Sequence, residues 1–369
     1  MRVQFDRWPR ITEVYEEWWA RRLDRPLVHL VVVDPPKVAA KRLGSPPDLE
    51  YDRFTGRYHQ DTPMADIVDR YDWELASRRY VADGFPAVLP NFGAGVLAAL
   101  LGCRMISGDE TIWFEPTTTI PAPDLALRAD MDGSIHQRIA EFYRVAADFW
   151  QGQVQLAMTD LGGAMDVIQS FLPGAQLSLE LYDRPGEIMR LIQEVHDAWW
   201  TYFETYQSLM EDSNRGYTAW TPLLSQTSYY MLQCDFAYMI GPDMFAEFVL
   251  PELAESCARL DRPFYHLDGK GQLVHLDSIL GIPNLAGVQW IPGAGAPDTS
   301  EWPEVYKKIR DVGKHIQLFV NQSDRGVAIL DVLADQLGDL RGVALVGTVA
   351  AGPEEELARE VLLRHGVPW

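Results

Sequence analysis

Cysteine is scarce in this chain. Cys103, Cys234 and Cys257 are the only three among 369 residues, with no CxxC pair. A disulfide scaffold and an all-thiolate metal site are thereby excluded, and a reducing compartment is the simplest setting. Long apolar runs are missing as well: LVHLVVV and VLAALLGC fall far short of the about 18 residues that span a bilayer. The first residues, MRVQFDRWPR, are charged and lack the apolar stretch of a secretory signal, so a cytoplasmic location is expected. Basic charge is in deficit, with 32 Lys and Arg against 53 Asp and Glu, a formal net of −21. Such a field repels phosphate backbones and anionic lipid surfaces, which argues against nucleic acid and membrane as partners. No strand is followed by a glycine-rich phosphate loop, which weakens the case for a doubly wound nucleotide-binding sheet.

What is present is material for a large core, 47% hydrophobic residues with 23% charged. From about residue 216 onward strand-like and helix-like segments alternate. GYTAWTPLLS reads as a strand and GPDMFAEFVLPELAESCARL as a helix kinked at Pro251. PFYHLD, GVQWIPG, IQLFVNQ and VALVGTV read as further strands, each followed by a helical segment. Ser300 is a candidate N-cap for EWPEVYKKIRDV. Three earlier strands, RPLVHLVVV, FPAVLPN and VQLAMTD, bring the count to eight. A long amphipathic helix starting near Pro185 follows, with Ile188, Leu191, Val195, Trp199 and Tyr206 on its apolar stripe. Eight strand–helix units predict an α/β fold, a (β/α)8 TIM barrel over residues 1–369 as one domain. The beat is broken at about 34–80 and 93–150, which read as excursions from the barrel.

Barrel sites lie at the C-terminal ends of strands, and this ranks the polar residues. His266 and Asp268 stand two apart at the end of a strand, so their side chains share a face, and Gly269 frees the chain to turn away. The pair reads as metal ligands, as a general acid/base couple, or as a core histidine beside a turn. Asp160, before two adjacent glycines, and Asp235, in the loop after the fourth strand, complete the catalytic candidates. Each also reads as a turn or solvated carboxylate. Asn91, Gln226, Gln289, Asn321 and Gln322 suit hydrogen bonding to a polar neutral ligand. Most of the twelve tryptophans belong to a core, but Trp220 and Trp290 fall near strand ends, where an indole can stack on a ring or face a methylammonium group.

The run CDFAYMIGPDMFAEFVLPELAESCARLDRPFYHLDG resembles the uroporphyrinogen decarboxylase superfamily, which includes methyltransferases serving corrinoid proteins and coenzyme M. The matching pieces are Asp235, Gly241-Pro242-Asp243, Pro251 and His266-Leu267-Asp268-Gly269. The stretch DVIQSFLPGAQLSLELYDRPGEIMRLIQEV is similar to the family's middle helices, and the resemblance extends over roughly residues 80–365. It implies a methyltransferase-like enzyme acting on a small or medium organic substrate, with a divalent metal such as zinc at His266 and Asp268 and a corrinoid protein as partner. Two departures qualify it. The loop VVVDPPKVAAKR has no arginine cluster to grip an acidic porphyrin, so uroporphyrinogen is not the expected substrate. Asp268 and Thr348 stand where the family's methyltransferases carry zinc-binding cysteines, so a metal here is expected on nitrogen and oxygen. The alternatives are a decarboxylase of the same superfamily, with Arg53, Arg57 or Arg104 holding a carboxylate, a carbohydrate-active barrel, or a non-catalytic binding protein. A homodimer is carried as an expectation that no motif encodes.

Overall fold

The strands range from nearly continuous apolar runs such as LVHLVVV, covered on both faces of a sheet, to short mixed segments such as RMIS near the surface. In the computed structural model, which describes residues 1–369, these are β1 (Leu27–Val33), β2 (Arg78–Ala82), β3 (Ala87–Val88), β4 (Arg104–Ser107), β5 (Ile112–Glu115), β6 (Gln155–Leu156), β7 (Tyr229–Gln233), β8 (Arg262–Asp268), β9 (Gly287–Ile291), β10 (His315–Phe319) and β11 (Val343–Ala350). The principal sheet has seven strands in the order β2-β1-β11-β10-β9-β8-β7. From β1 to β7 every neighbouring pair is parallel. β2 runs antiparallel along the free side of β1. A separate short parallel pair joins β3 to β6, and β4 and β5 form a hairpin.

The sheet is thus open, where the sequence predicted a closed barrel of eight parallel strands. Two causes are visible. Pro86 and Pro90 flank β3 and remove donors from its ladder, so only two residues of it pair. The segment 216–225, predicted as the fourth strand, is a loop closed by one antiparallel bridge, Tyr217 to Ser225. It lies beside β6 without a ladder: the Met158 N–H donates to the Thr218 carbonyl at 2.8 Å, and the Leu156 N–H to the Asn214 side chain at 2.9 Å. The true strand is the next segment, YYMLQ, buried at all five positions. It lacks the alternation that marks a half-exposed strand.

Helices cover the outside. The Pro185–Met210 helix buries Ile188, Leu191, Val195, Trp199 and Tyr206 as predicted. The predicted kinked helix around Pro251 is two helices, Pro242–Phe248 and Leu250–Arg259, with Pro251 in the first turn of the second, where its missing N–H costs nothing. Leu253 and Cys257 are buried on that second helix. Asp298, and not Ser300, is the capping residue, accepting from the Ser300 N–H ahead of the helix Pro303–Asp311. The excursions hold ordered elements, including helices Met64–Ala76 and Ser134–Trp150. No helix is long and apolar enough to cross a membrane.

One end of the parallel strands is closed. The first helix, Trp8–Trp19, lays Trp18 and Trp19 against Phe264 and His315 at the strand starts, and both indoles donate to backbone carbonyls there. Glu16 pairs with Arg262, the first residue of β8. The C-terminal ends of the strands are left as the accessible mouth.

Candidate active site

Along β8 the pleat sends Tyr265 and Leu267 to one face, both buried, and His266 and Asp268 to the other, both partly exposed. Gly269 then takes φ +85°, and a Cβ there would press on the ring of Tyr238. His266 Nε2 lies 3.9 Å from an Asp268 oxygen. Asp235, in the short tight helix that follows β7, completes a group of three whose donor atoms all lie within 4.8 Å of one another. The Trp220 and His266 rings meet nearly perpendicular, with a centroid distance of 5.0 Å.

The register aligns Gln233, His266, Gln289 and Gln317 in one row across β7, β8, β9 and β10. Three of them form a hydrogen-bonded chain whose polarity follows from its last link. The Leu318 carbonyl can only accept, so Gln317 Nε2 donates to it at 3.0 Å. Gln317 Oε1 then accepts from Gln289 Nε2, and Gln289 Oε1 is left to accept from His266 Nδ1. The ring proton is thereby assigned to Nδ1, and the Nε2 lone pair faces the two carboxylates.

Asp235 is held from behind. Its own N–H and that of Phe236 donate to the Asp166 carboxylate at 3.0 and 2.7 Å. Asp166 sits in the first turn of the helix Ala164–Phe171, after a Gly163 whose Cβ would collide with the Gln233 carbonyl. Burial, with Asp235 adding to it, raises the Asp166 pKa against the two backbone bonds that lower it. The surrounding protein displaces water from Asp235 and raises its pKa, with Asp268 reinforcing and His266 opposing. Its carboxylate nonetheless meets solvent at the rim of the mouth. Asp160 accepts from the Gly162 N–H at 2.9 Å, and burial, helped by Asp235, pushes it up to about 7. A carboxyl so tuned can take up and return a proton near neutrality. The Cys234 thiol is buried, and desolvation with Asp166 nearby pushes it up, away from the thiolate a soft metal would want.

Two concavities open here. One of about 370 Å³ is bounded by Asp235, Tyr238, Asp268 and Lys270. Another of about 200 Å³ lies over one face of the β1–β11 pair and is walled by Val31, Phe85, Trp220 and Thr348. A larger hollow of about 500 Å³ lies away from this mouth among the excursions, near Tyr58 and Arg138. Its Arg138 is committed to Glu141 and the Thr62 carbonyl.

The remaining sequence candidates divide. Gln289 is fully buried in the chain that holds His266. Asn91 uses its side chain to accept from the Gly93 N–H and borders a small adjoining cavity. Trp290 points the opposite way from Gln289 along β9, is fully buried and packs on Trp302, so it faces the helical layer and not a ligand. Gln226 lies at the closed end, beside Glu16 and the Arg215 carbonyl, because its segment precedes β7 instead of ending a strand. Asn321 and Gln322 are exposed in a tight turn after β10, which ends at Phe319. Asp166 and Gln317 went unnoticed in the sequence, although a lone glutamine in the apolar strand HIQLF was the available signal.

These features define a mixed α/β protein built on a large, mostly parallel sheet, with acidic, imidazole and amide groups converging at the C-terminal strand ends. The chain is similar in fold to a methyltransferase from Methanosarcina mazei, with a TM-score of 0.62 over 96% of this chain and 97% of that one, at 11% sequence identity. No known family matches the sequence, and no curated protein does.

The metal implied by the resemblance can be tested against these donors. Asp235, His266 and Asp268 present one nitrogen and carboxylate oxygens in one small volume, with His266 in the tautomer a metal requires. They fit a divalent ion.

Proposed function

We propose that this chain is an enzyme of the uroporphyrinogen decarboxylase superfamily, methyltransferase-like in chemistry, with a (β/α)8-type arrangement left incompletely hydrogen-bonded. Its substrate is a small or medium organic molecule and not uroporphyrinogen, since the mouth has no arginine cluster. The observation that carries the reading is the convergence of Asp235, His266 and Asp268. They would hold zinc or another divalent ion, which when bound polarises a substrate oxygen or acidifies a ligand. Gln289 and Gln317 fix the imidazole and Asp166 positions Asp235, while Asp160, raised to about 7 by burial with Asp235 adding to it, is the candidate proton carrier. A corrinoid protein as methyl carrier rests on the family resemblance alone. The decarboxylase alternative loses two of its proposed anchors: Arg57 is tied to the Asp109 carbonyl and Asp52, and Arg104 to Glu115.

Metal analysis and zinc titration of the purified protein test this. About one equivalent should bind, and His266→Ala should abolish it with little change in the melting temperature of metal-free protein. Gln289→Leu, which keeps all three donors, should weaken binding about 10- to 100-fold. Wild-type protein that neither contains nor takes up a divalent metal would overturn the metal centre. Demethylation of methylcobalamin in the presence of thiols tests the transfer reaction separately.

A further inference from the structure

β2 carries two consecutive arginines with different fates. Arg79 is held by Asp34 and Glu355. Arg78 points to the other face and makes no ion pair and no side-chain hydrogen bond, although it is only partly exposed. The chain has 53 acidic residues against 32 basic ones, so an unpaired arginine is not for want of carboxylates. Glu74, the acid on the same wall, is committed to Arg70 at 2.6 Å. Its guanidinium nitrogens still reach solvent and no protein group occupies them, so the fork is free to take a counter-ion from a ligand.

Its position is informative. Arg78 pairs with Val33, the last residue of β1, which places it at the mouth. It lines both the cavity of about 200 Å³ and an adjoining one of about 160 Å³. The larger of these is otherwise mainly apolar, with Val31, Ala87, Leu89, Ala157 and Ala219 on its walls. Trp220 belongs to the same wall and also touches His266, so one indole joins the cation's cavity to the proposed reaction centre.

We propose that Arg78 anchors the acidic group of the substrate, an organic anion whose apolar body lies along this cavity toward His266. The inference rests on the proposed function only for the direction of the reacting end; the anion site stands on Arg78 and its cavity. A guanidinium fork matches a carboxylate or sulfonate through paired N–H donors, which an ammonium cannot reproduce. The acid excess of the molecule repels free anions at long range, so selectivity for an anion has to be local.

Calorimetric titration with benzoate, hexanoate and benzenesulfonate, and with benzamide as the uncharged control, tests the proposal. At least one anion should bind the wild type with a Kd on the order of 1 mM, and benzamide more weakly. Arg78→Gln should lower that affinity about 10- to 100-fold, and Arg78→Lys by less, with unchanged circular dichroism in both. His266→Ala should keep the anion affinity while losing metal, so failure of the metal centre and failure of the anion site are separable. Equal binding of benzamide, an unaffected Arg78→Gln protein, dependence on Arg53 in place of Arg78, or no binding of any of the anions would each refute it.

Discussion

Asp160 shows how a single carboxyl can make the stability of the fold depend on pH. Its folded-state pKa, pushed up to about 7, exceeds the about 3.9 of an unfolded aspartate. The folded chain therefore binds the proton more tightly than the unfolded chain. Stability from this group is fully present below the unfolded value and is lost as pH rises through about 7. Asp160→Asn keeps the oxygen that accepts from Gly162 and cannot ionise. Its melting temperature relative to wild type should rise between pH about 4 and about 7, then level off above that. A constant difference across the range would show that the carboxyl is better solvated than its surroundings indicate.

At the scale of elements, the contact between the helix Ala164–Phe171 and the turn after β7 decides where Asp235 stands. Asp166 accepts two N–H groups from that turn, a capping interaction made across the fold. Asp166→Asn retains one acceptor oxygen and sets an amide N–H₂ against the other donor. Zinc affinity should fall as Asp235 is released, while the anion affinity governed by Arg78 should stay. Unchanged zinc affinity would mean that Asp235 is placed by something other than this contact.

For the whole molecule, the division into a closed and an open end matters most. Trp18 is fully buried under the strand starts and donates to the Val343 carbonyl. Trp18→Ala should cost about 3–5 kcal/mol, as large aromatic deletions in cores do. The proposed metal and anion sites are at the opposite end, so binding at them should be preserved in the protein that remains folded. Loss of either function in step with stability would indicate that the two ends are coupled through the sheet.

The sequence by itself determined the elements whose local pattern and tertiary environment agree. The Pro185–Met210 helix declared its apolar stripe, and β8 declared His266 and Asp268 on one face, because helical and strand periodicities act over a few residues. It also determined the charge balance and the absence of thiolate partners. Tertiary structure decided what depends on distant segments. YYMLQ is a strand and GYTAWTPLLS is not, because parallel pairing with β8 buries the first on every side, while Gly216 and Pro222 suit the second to a loop. Trp290 looked like a ligand platform next to Gln289, yet the pleat turns it into the helical layer. Asp166, Gln317 and Arg78 acquired meaning only from partners, or the lack of them, tens to hundreds of residues away. A hydrogen bond or an unpaired charge is a property of three-dimensional neighbours, and no window along the chain contains them.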